Sequence, residues 1–451
     1  MKCIVRLIFL ALLISVMANG PAEAQKTLRG IYVINEGAFL QGNASVTRYD
    51  AASGSVTQNA FFAKNGRPLG DVANSASIIG DYLYVVVNNS HTVEVAGKND
   101  LTSVARIEID DTNGGSPRQL LQVDENRAFV TNLFDNSISV IDLTTNTVTG
   151  TFPVAGFPEG LVMAGGKVFV ALSGLGSGNS VAVVDPVAME VTNTLEVGDN
   201  PQVIRVHSNG TVWVLCTGDY GFDENFNYDP ARETFGEIHI IDPVEESIVR
   251  IIETGGHPTD MKFHEPTGTL YVLNNGIQVV NTETFEAGDE KLINRFLNSF
   301  SIIDTDEPML IGGIAPDFSS GGRAVMYTLE GVAADSFATG IGPRDFVMMY
   351  TESPVSVRDY QELPAALSLG QNYPNPFNPS TVIPFELAAG STVRMSVYDV
   401  TGRRIALLAD GNYAAGSHSA VFNATDLASG VYVIRLEAGG SVAVGKMMLV
   451  R

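Results

Sequence analysis

The segment from Thr217 to Glu237 carries the side chains best suited to binding chemistry. It reads TGDYGFDENFNYDPARETFGE, in which aromatic residues alternate with acidic ones. Exposed aromatic rings stack on sugars or on flat cofactors, so we predict that Tyr220 and Phe222 contact a ligand. Long loops inside compact domains are more often functional than short ones. The alternative is a loop folded on its own aromatic side chains.

The same loop offers oxygen ligands at alternate positions, in the manner of a calcium site. Carboxylate and amide oxygens are the ligands that Ca²⁺ takes in proteins. The loop lacks the Gly and the terminal Glu of an EF-hand, so calcium is a secondary expectation and no other cofactor is predicted. The predicted ligands are Asp223, Asn225, Asn227 and Asp229.

Catalytic constellations are sparse in this chain. The sequence contains no HExxH, GxSxG or GxxxxGKS motif. Cys216 lies in an apolar WVLC run with no base nearby, which predicts a buried, inert thiol. We therefore expect a non-enzymatic binding protein. A metal-dependent lactonase or lyase is the alternative if Glu36 and His257 both face a central channel.

Short alternating strands separated by turn residues recur through most of the chain. In the cleanest copy, residues 115–152, runs of β-branched and apolar residues are separated by DEN, LFDN and LTTN turns. Four antiparallel strands in about forty residues match one propeller blade, and blades stack in a ring to bury both faces. The sequence thus predicts an all-β chain with a seven-bladed β-propeller over residues 25–350. Six or eight blades are alternatives because residues 285–341 are poorly patterned. The units begin near Pro68, Pro117, Pro158, Pro201, Pro258 and Pro343.

The first unit, residues 28–65, is expected to lack one strand. GIYVINEGAF and NASVTRYDAASGSVTQNAFF supply later strands of a blade, while residues 342–350 look like the start of a unit with nothing after it. Pairing the two ends closes the ring and leaves no open sheet edge there.

The loops after the second and fourth strands of each blade are expected on one face of the ring, called the loop face below. Its side chains combine amides, aromatic rings and arginines, which suit a polar small molecule or a surface glycan. Ordinary turn chemistry is the alternative, since Asn is common in tight turns. The predicted ligand-binding residues are Asn35, Glu36, Arg67, Asn88, Asn89, Arg118, Asn132, Phe157, Tyr220, Phe222, His257, Asn274 and Arg344.

Net charge and the N-terminal segment constrain partners and location. The formal net charge of −23 at pH 7 argues against nucleic acid, because phosphate backbones are repelled. Residues 1–24 are predicted to be a secretory signal peptide, with a basic start, the apolar run LIFLALLISVM and an AEA cleavage site. Its removal leaves Cys216 as the single cysteine, so no intramolecular disulfide is expected.

A linker over residues 351–366 is predicted to precede a tail of different texture. In residues 367–451, alternating strands with Gly-rich turns indicate a small Ig-like β-sandwich. The NYPNPFNPST opening, the VYDVTGRR hairpin and the SGVYVIRL strand resemble the C-terminal sorting domain of type IX secretion substrates, which is related to the FlgD fold. The resemblance implies passage through the type IX machinery to the cell surface or extracellular space. An ordinary adhesion-type module is the alternative.

The repeats resemble the YncE/YVTN-type propeller family. The unit FVTNLFDNSISVIDLTTNTVTGTF carries the strand, small polar turn and I-D strand end of that family. The stretch NEGAF…NASVTRYD…NGRPLGDVANSASIIGDYLYVVVNNSHTVEV resembles a Bacteroidota surface-propeller subgroup that includes BtuG-type cobalamin-capturing proteins. The resemblance implies capture of a cobalamin-like corrinoid, with a glycan or peptide equally open. An outer-membrane transporter is a further expected partner. A structural or adhesive surface protein without a small ligand is the remaining alternative.

Overall fold

The computed structural model describes residues 26–109, 115–223, 227–352, 367–370, 372–387, 390–399, 403–425, 427–438 and 441–450. The chain divides into two compact units, Met1–Ser353 and Pro354–Arg451. The predicted signal peptide and residues 353–366 of the predicted linker lie outside the described residues. Within the described ranges, no helix is long and apolar enough to cross a membrane.

The described part of the first unit contains seven four-stranded antiparallel sheets, which confirms the predicted seven-bladed propeller. The strands of the first three blades are β1 Lys26–Asn35, β2 Ser45–Asp50, β3 Val56–Thr57, β4 Ala73–Ile79, β5 Tyr82–Val87, β6 Thr92–Gly97, β7 Ser103–Glu108, β8 Pro117–Gln122, β9 Arg127–Asn132, β10 Ser137–Asp142 and β11 Thr147–Pro153. Those of the next two are β12 Pro158–Ala164, β13 Lys167–Leu172, β14 Ser180–Asp185, β15 Glu190–Glu196, β16 Pro201–Val206, β17 Val212–Cys216, β18 Glu237–Asp242 and β19 Ser247–Glu253. The remaining strands are β20 Asp260–His264, β21 Thr269–Leu273, β22 Ile277–Asn281, β23 Ala287–Ile293, β24 Ser299–Ile303, β25 Met309–Ile314, β26 Gly321–Thr328, β27 Ala333–Ile341 and β28 Pro343–Glu352. Short 3₁₀ turns lie at Asn88–Ser90, Gly174–Gly176 and Glu265–Thr267.

Middle strands of the blades are buried on both faces by the neighbouring blades. In β9, Ala128 and Val130 pack against the second blade, while Phe129 packs against the fourth. Strands covered on both faces take continuous apolar runs rather than alternating ones. This is why RAFVTN and KVFVAL are buried almost throughout, whereas the outer strand β15, EVTNTLE, is exposed.

Strand β28 completes the first blade, which confirms the predicted closure. It pairs antiparallel with β1, from Lys26 opposite Glu352 to Asn35 opposite Pro343. The sheet order is therefore β28-β1-β2-β3. Closure by hydrogen bonds along a whole strand leaves no free edge where the two ends of the repeat region meet.

The end of the first blade differs from the prediction. VTQNAFF was expected to supply a strand, but β3 is limited to Val56–Thr57 and a short helix, α1 Ala60–Asn65, follows. Phe61 is buried against the second blade, and Phe62 points to solvent with half of its surface exposed. A short apolar run of this kind does not distinguish helix from strand by periodicity, and Gly66 at positive φ ends the helix.

The second unit is a sandwich of two antiparallel sheets in the described residues. Ile383 and Phe385 of one sheet pack with Val393 and Met395 of the other in a single core. The sheet orders are β29-β30-β33 and β32-β31-β34-β35. The Ig-like and FlgD-related assignment of this unit stays a prediction. Its strands are β29 Leu367–Leu369, β30 Ser380–Leu387, β31 Ser391–Tyr398, β32 Arg404–Tyr413, β33 Gly416–Asn423, β34 Gly430–Ala438 and β35 Ser441–Leu449.

Truncation of Phe346 tests the contribution of β28 to stability. Phe346 is 5% exposed and packs in the core with Ile31 and Val33 of β1. We expect Phe346→Ala to lower the free energy of unfolding by roughly 3–5 kcal/mol, because a buried ring is removed. The matched variant Phe296→Ala removes a ring that is 62% exposed and should change stability by about 0.5 kcal/mol or less. Urea denaturation measures both, and equal losses would contradict the packing of β28.

Candidate functional site

Exposed aromatic rings of the propeller are concentrated on the loop face. Among the described residues, one exposed ring, Tyr82, lies at the opposite face, where β5 begins. Exposed aromatic surface gathered on one side of a soluble protein marks an interaction site. The exposed loop-face rings are Phe39, Phe62, Phe134, Tyr220, Phe222, Tyr228, Phe235, Phe296 and Phe318.

Tyr220 and Phe235 lie in the loop between β17 and β18, and His257 lies in the loop between β19 and β20. These three residues are called the aromatic cluster. The rings of Tyr220 and His257 stack with centroids 4.1 Å apart at 23°, and the Phe235 ring lies 5.9 Å from that of His257. The His257 Nδ1 is 3.1 Å from the Thr217 carbonyl oxygen, and its Nε2 is 3.2 Å from Glu233 Oε1. Tyr220 remains 45% exposed, so part of its side chain is open to solvent beside a fixed imidazole.

Internal hydrogen bonds hold this loop in place. The Tyr228 hydroxyl donates to Glu233 Oε2 over 2.7 Å. The bonds from Tyr228 and then His257 lower the pKa of the Glu233 carboxyl below its usual range. The Thr234 N–H donates to the Asp219 carbonyl oxygen over 3.0 Å. A loop braced in this way loses little conformational freedom when it binds a ligand.

Three of the oxygen atoms predicted to bind calcium accept hydrogen bonds within the loop. Asp223 Oδ1 accepts the backbone N–H of Asn227 over 2.8 Å, and the Asn227 side-chain amide donates to both Asp223 oxygens. Asp229 Oδ1 accepts the Ala231 N–H over 3.0 Å. Asn225 lies outside the described residues. Where the chain is described, no group of three or more His, Cys, Asp or Glu side chains has metal-binding geometry. Calcium binding stays a prediction.

Three predicted ligand amides are buried inside blades. Asn35 Nδ2 donates to the hydroxyls of Ser45 and Thr47 at 3.2 and 3.1 Å. Asn132 Nδ2 donates to two serine hydroxyls of β10 at 3.0 and 2.9 Å. Asn274 Nδ2 donates to the Gly255 carbonyl oxygen over 2.8 Å. These amides therefore form hydrogen bonds within a blade or at a blade junction.

Two further asparagines join neighbouring segments. Asn88 Nδ2 donates to the Ser116 hydroxyl and the Pro117 carbonyl oxygen at 2.9 and 3.0 Å, across to the third blade. Asn89 Nδ2 donates to Asp71 Oδ2 over 2.6 Å. Their side-chain donors are therefore already used within the propeller.

Phe157 occupies a backbone position that recurs just before the first strand of a blade, called the inner strand below. At each such position φ lies between 56° and 66°, and the carbonyl oxygen accepts the N–H of the residue that follows a second strand, at 2.7–3.2 Å. Glu36 donates one of these bonds, to the Gly342 carbonyl oxygen. Positive φ is uncommon for non-glycine residues, so this turn is a built feature of the blade junction. The acceptors are Val72, Ser116, Phe157, Asn200 and Gly342.

Arg67 forms an ion pair with a buried carboxylate. Its Nη2 is 2.8 and 2.9 Å from the two Glu94 oxygens, and the Glu94 side chain is fully buried. The guanidinium lies 5.2 Å from the centre of the Phe61 ring. A buried carboxylate requires such a partner, so Arg67 serves the core of the second blade.

A central cavity of about 280 Å³ is lined by residues from six inner strands. Arg344 lines it together with Arg205, Lys262, Asp260 and Asp345. On adjoining inner strands, Arg118 Nε is 2.6 Å from Glu159 Oε2. Of the predicted arginines, Arg344 is the one that borders this cavity.

A second cavity, of about 590 Å³, adjoins the aromatic cluster at Phe235. Its described lining contains carboxylates and no Lys or Arg. Such a cavity accepts hydrogen bonds from hydroxyl or amide donors and repels anions. The lining carboxylates are Glu196, Asp199, Glu237 and Glu253.

Several loop-face rings escaped the sequence analysis. Phe39, Phe134 and Phe318 each lie in a loop that follows a second strand, and Phe235 closes the loop of the fifth blade. Aromatic residues in those loops could have been found by marking every aromatic residue between second and third strands.

Comparison with known proteins supports the fold and the tail. Residues 29–220 match the model for a domain of unknown function, DUF5074, and residues 371–450 match the secretion system C-terminal sorting domain. A seven-bladed β-propeller protein of Mycobacterium tuberculosis is 29% identical over 164 residues, which cover 35% of this chain and 40% of that protein. The chain thus spans about 40% of the length of this curated relative.

Among solved structures, a quinonprotein alcohol dehydrogenase-like protein from Bacteroides thetaiotaomicron is similar to this chain. The TM-score is 0.52 at 15% identity, over 72% of this chain and 79% of that one. At this identity the likeness shows the propeller fold alone. The sorting-domain match confirms the predicted export by type IX secretion to the cell surface or extracellular space. The YncE-type and BtuG-type assignments stay predictions.

Removal of the Arg67 guanidinium tests its structural role. We expect Arg67→Ala to lower the free energy of unfolding by roughly 3–5 kcal/mol, because Glu94 is left buried without its partner. The control Arg323→Ala removes an exposed arginine of β26 and should have little effect. Urea denaturation distinguishes the two. Equal stability of wild type and Arg67→Ala would contradict this role.

The reactivity of Cys216 tests its burial. The residue is 1% exposed, and burial raises the pKa of its thiol far above the usual value. We expect an aromatic disulfide reagent at pH 8 to label the secreted native chain at least about 100-fold more slowly than the urea-unfolded chain, since the thiolate is the reactive form. Similar rates in both states would show that the site is open.

Proposed function

We propose that this chain is a secreted, non-enzymatic binding protein that captures a polar, donor-rich ligand on its loop face. A glycan and a cobalamin-like corrinoid are the two ligand classes that fit. The observation that carries the proposal is the concentration of exposed aromatic rings on the loop face of the propeller. In the described residues, the opposite face has one exposed aromatic ring, that of Tyr82. Binding without turnover needs surface complementarity and no nucleophile.

The aromatic cluster supplies the stacking contact of this proposal. Tyr220 lies on His257 with almost parallel rings, and the imidazole is fixed through both of its nitrogens. A fixed ring with an open face packs against a sugar ring or a flat macrocycle with little loss of entropy. Both His257 nitrogens have protein partners, so this imidazole would have to give up a hydrogen bond before it could bind the metal of the alternative enzyme.

The cavity beside Phe235 supplies the polar contacts. Its carboxylates accept hydrogen bonds and cannot donate them when ionised. Hydroxyl groups of a glycan and amide side chains of a corrinoid are both hydrogen-bond donors. This pairing favours a neutral, donor-rich ligand over an anionic one.

Location agrees with capture outside the cell. The sorting-domain match indicates delivery by the type IX machinery to the surface or extracellular space, where a glycan or a scavenged corrinoid is encountered. Transfer of the captured ligand to an outer-membrane transporter is part of the same proposal.

The experiment compares ligand binding by Tyr220→Ala and Tyr82→Ala in the full chain. The probes are neutral oligosaccharides and cyanocobalamin, measured by thermal shift and by calorimetric titration. A ligand that binds the native state raises the melting temperature in a concentration-dependent way. We expect Tyr220→Ala to weaken binding by about tenfold through loss of stacking, and Tyr82→Ala to bind as wild type.

Two outcomes would overturn the proposal. One is the absence of any shift with every probe, which would leave a structural or adhesive surface protein. The other is an equal loss of affinity in both variants, which would remove the loop face from the interaction.

A further inference from the structure

Five inner strands carry a β-bulge close to the loop face. The register with the second strand slips after Ala73, Pro117, Pro158, Pro201 and Pro343. A bulge leaves its extra residue outside the hydrogen-bonded ladder and re-aims the side chain, often next to a functional site. Of the residues displaced in this way, Asn74, Gln119 and Arg344 line the central cavity.

The central cavity carries a positive balance within a strongly acidic chain. Its lining includes three cations, Arg205, Lys262 and Arg344, and two carboxylates, Asp260 and Asp345, so the balance is 3 − 2 = +1. The whole chain has a formal charge of −23. A cleft with a net positive lining raises the local concentration of anions.

The two carboxylates of the cavity are already neutralised or hydrogen-bonded. Asp260 is 3.2 Å from both Arg205 Nη2 and Lys262 Nζ. Asp345 Oδ2 accepts the Ala76 N–H over 3.0 Å, and its Oδ1 accepts the Phe346 N–H over 2.9 Å. Neither carboxylate is paired with Arg344.

Arg344 is the cation that these groups leave available. In the described part of the chain its guanidinium makes no ion pair and no hydrogen bond. The residue is half-buried at the bulge of β28. A guanidinium presents five N–H donors in a planar fork that matches carboxylate and phosphate oxygens.

Four neutral donors around Arg344 are hydrogen-bonded to backbone carbonyl oxygens of the protein. Asn74 Nδ2 and Ser75 Oγ both donate to the Arg118 carbonyl oxygen over 2.8 Å. Asn298 Nδ2 and Ser299 Oγ donate to the Pro343 carbonyl oxygen at 3.1 and 2.6 Å. These bonds fix part of the cavity wall, and Arg344 is the lining cation that has no ion pair in the described residues.

We propose that the central cavity binds a small oxyanion, a carboxylate or a phosphate, through Arg344. The volume of about 280 Å³ lies below the roughly 300–1,000 Å³ of pockets that hold drug-sized molecules, which fits a small ion with a few waters. The site is separate in chemistry from the aromatic cluster, whose neighbouring cavity repels anions. It does not depend on the proposed function of the loop face.

The test is a calorimetric titration of the full chain with inorganic phosphate and, in a second arm, with succinate. Sodium chloride holds the ionic strength constant, because exposed charge interactions are screened by salt. We expect saturable binding with a stoichiometry of one. The arm with the higher affinity identifies whether the natural oxyanion is a phosphate or a carboxylate.

Three variants assign the binding to Arg344. We expect Arg344→Gln to weaken anion binding at least about tenfold, and Arg344→Lys to retain part of it because charge is kept and the planar fork is lost. Arg323→Gln, an exposed arginine of β26 away from the cavity lining, should bind as wild type. Tyr220→Ala should leave anion binding unchanged, which separates this site from the loop-face ligand.

Melting temperatures without added anion control for folding. Arg344→Gln should have the melting temperature of the wild type, since the Arg344 guanidinium has no ion pair or hydrogen bond in the described residues. The proposal is overturned if neither phosphate nor succinate binds the wild type saturably. It is also overturned if Arg344→Gln binds the anion with wild-type affinity.

Discussion

The antiparallel pairing of β28 with β1 is the constraint on which the rest of the propeller depends. It brings residues near position 350 beside residues near position 30 and turns a row of blades into a ring. Once the ring is closed, every blade has a neighbour on both faces, and the apolar middle strands are buried. The same pairing places Gly342 against Glu36 and sets Arg344 in the central cavity. Ring closure therefore positions both the blade junction at Gly342 and the central cavity.

Strand-end amides and ligand-accessible side chains lie at different places in this ring. Asn35, Asn132 and Asn274 recur at the ends of second strands, and each is used inside a blade or at a blade junction. Two side chains that stay open to a ligand lie away from these strand ends. Tyr220 lies in the long loop of the fifth blade, and Arg344 lies on a bulge of the closing strand.

The sequence was sufficient for the architecture, whereas the ligand-binding residues stay a prediction. The periodicity of the sequence predicted the blade units, their order and the closure by residues 342–350. It could do so because packing between blades requires the same strand pattern in each repeat. Helix α1 was missed because AFFAKN is too short to show a period. Arg67 was predicted to bind a ligand because arginine is common in binding sites. Its ion pair with Glu94 was not predicted, since the two residues lie 27 positions apart in the sequence. Burial of the strand-end amides and the free state of Arg344 depend on three-dimensional neighbours, which residue types do not reveal.

Hydroxyl-radical footprinting of the secreted chain, with and without a bound oligosaccharide or corrinoid, tests the central claim most directly. We expect the ligand to protect loop-face rings, Tyr220 and Phe235 foremost, while Tyr82 on the opposite face keeps its rate of oxidation. Protection of Tyr82 with unchanged oxidation of the loop-face rings would contradict it.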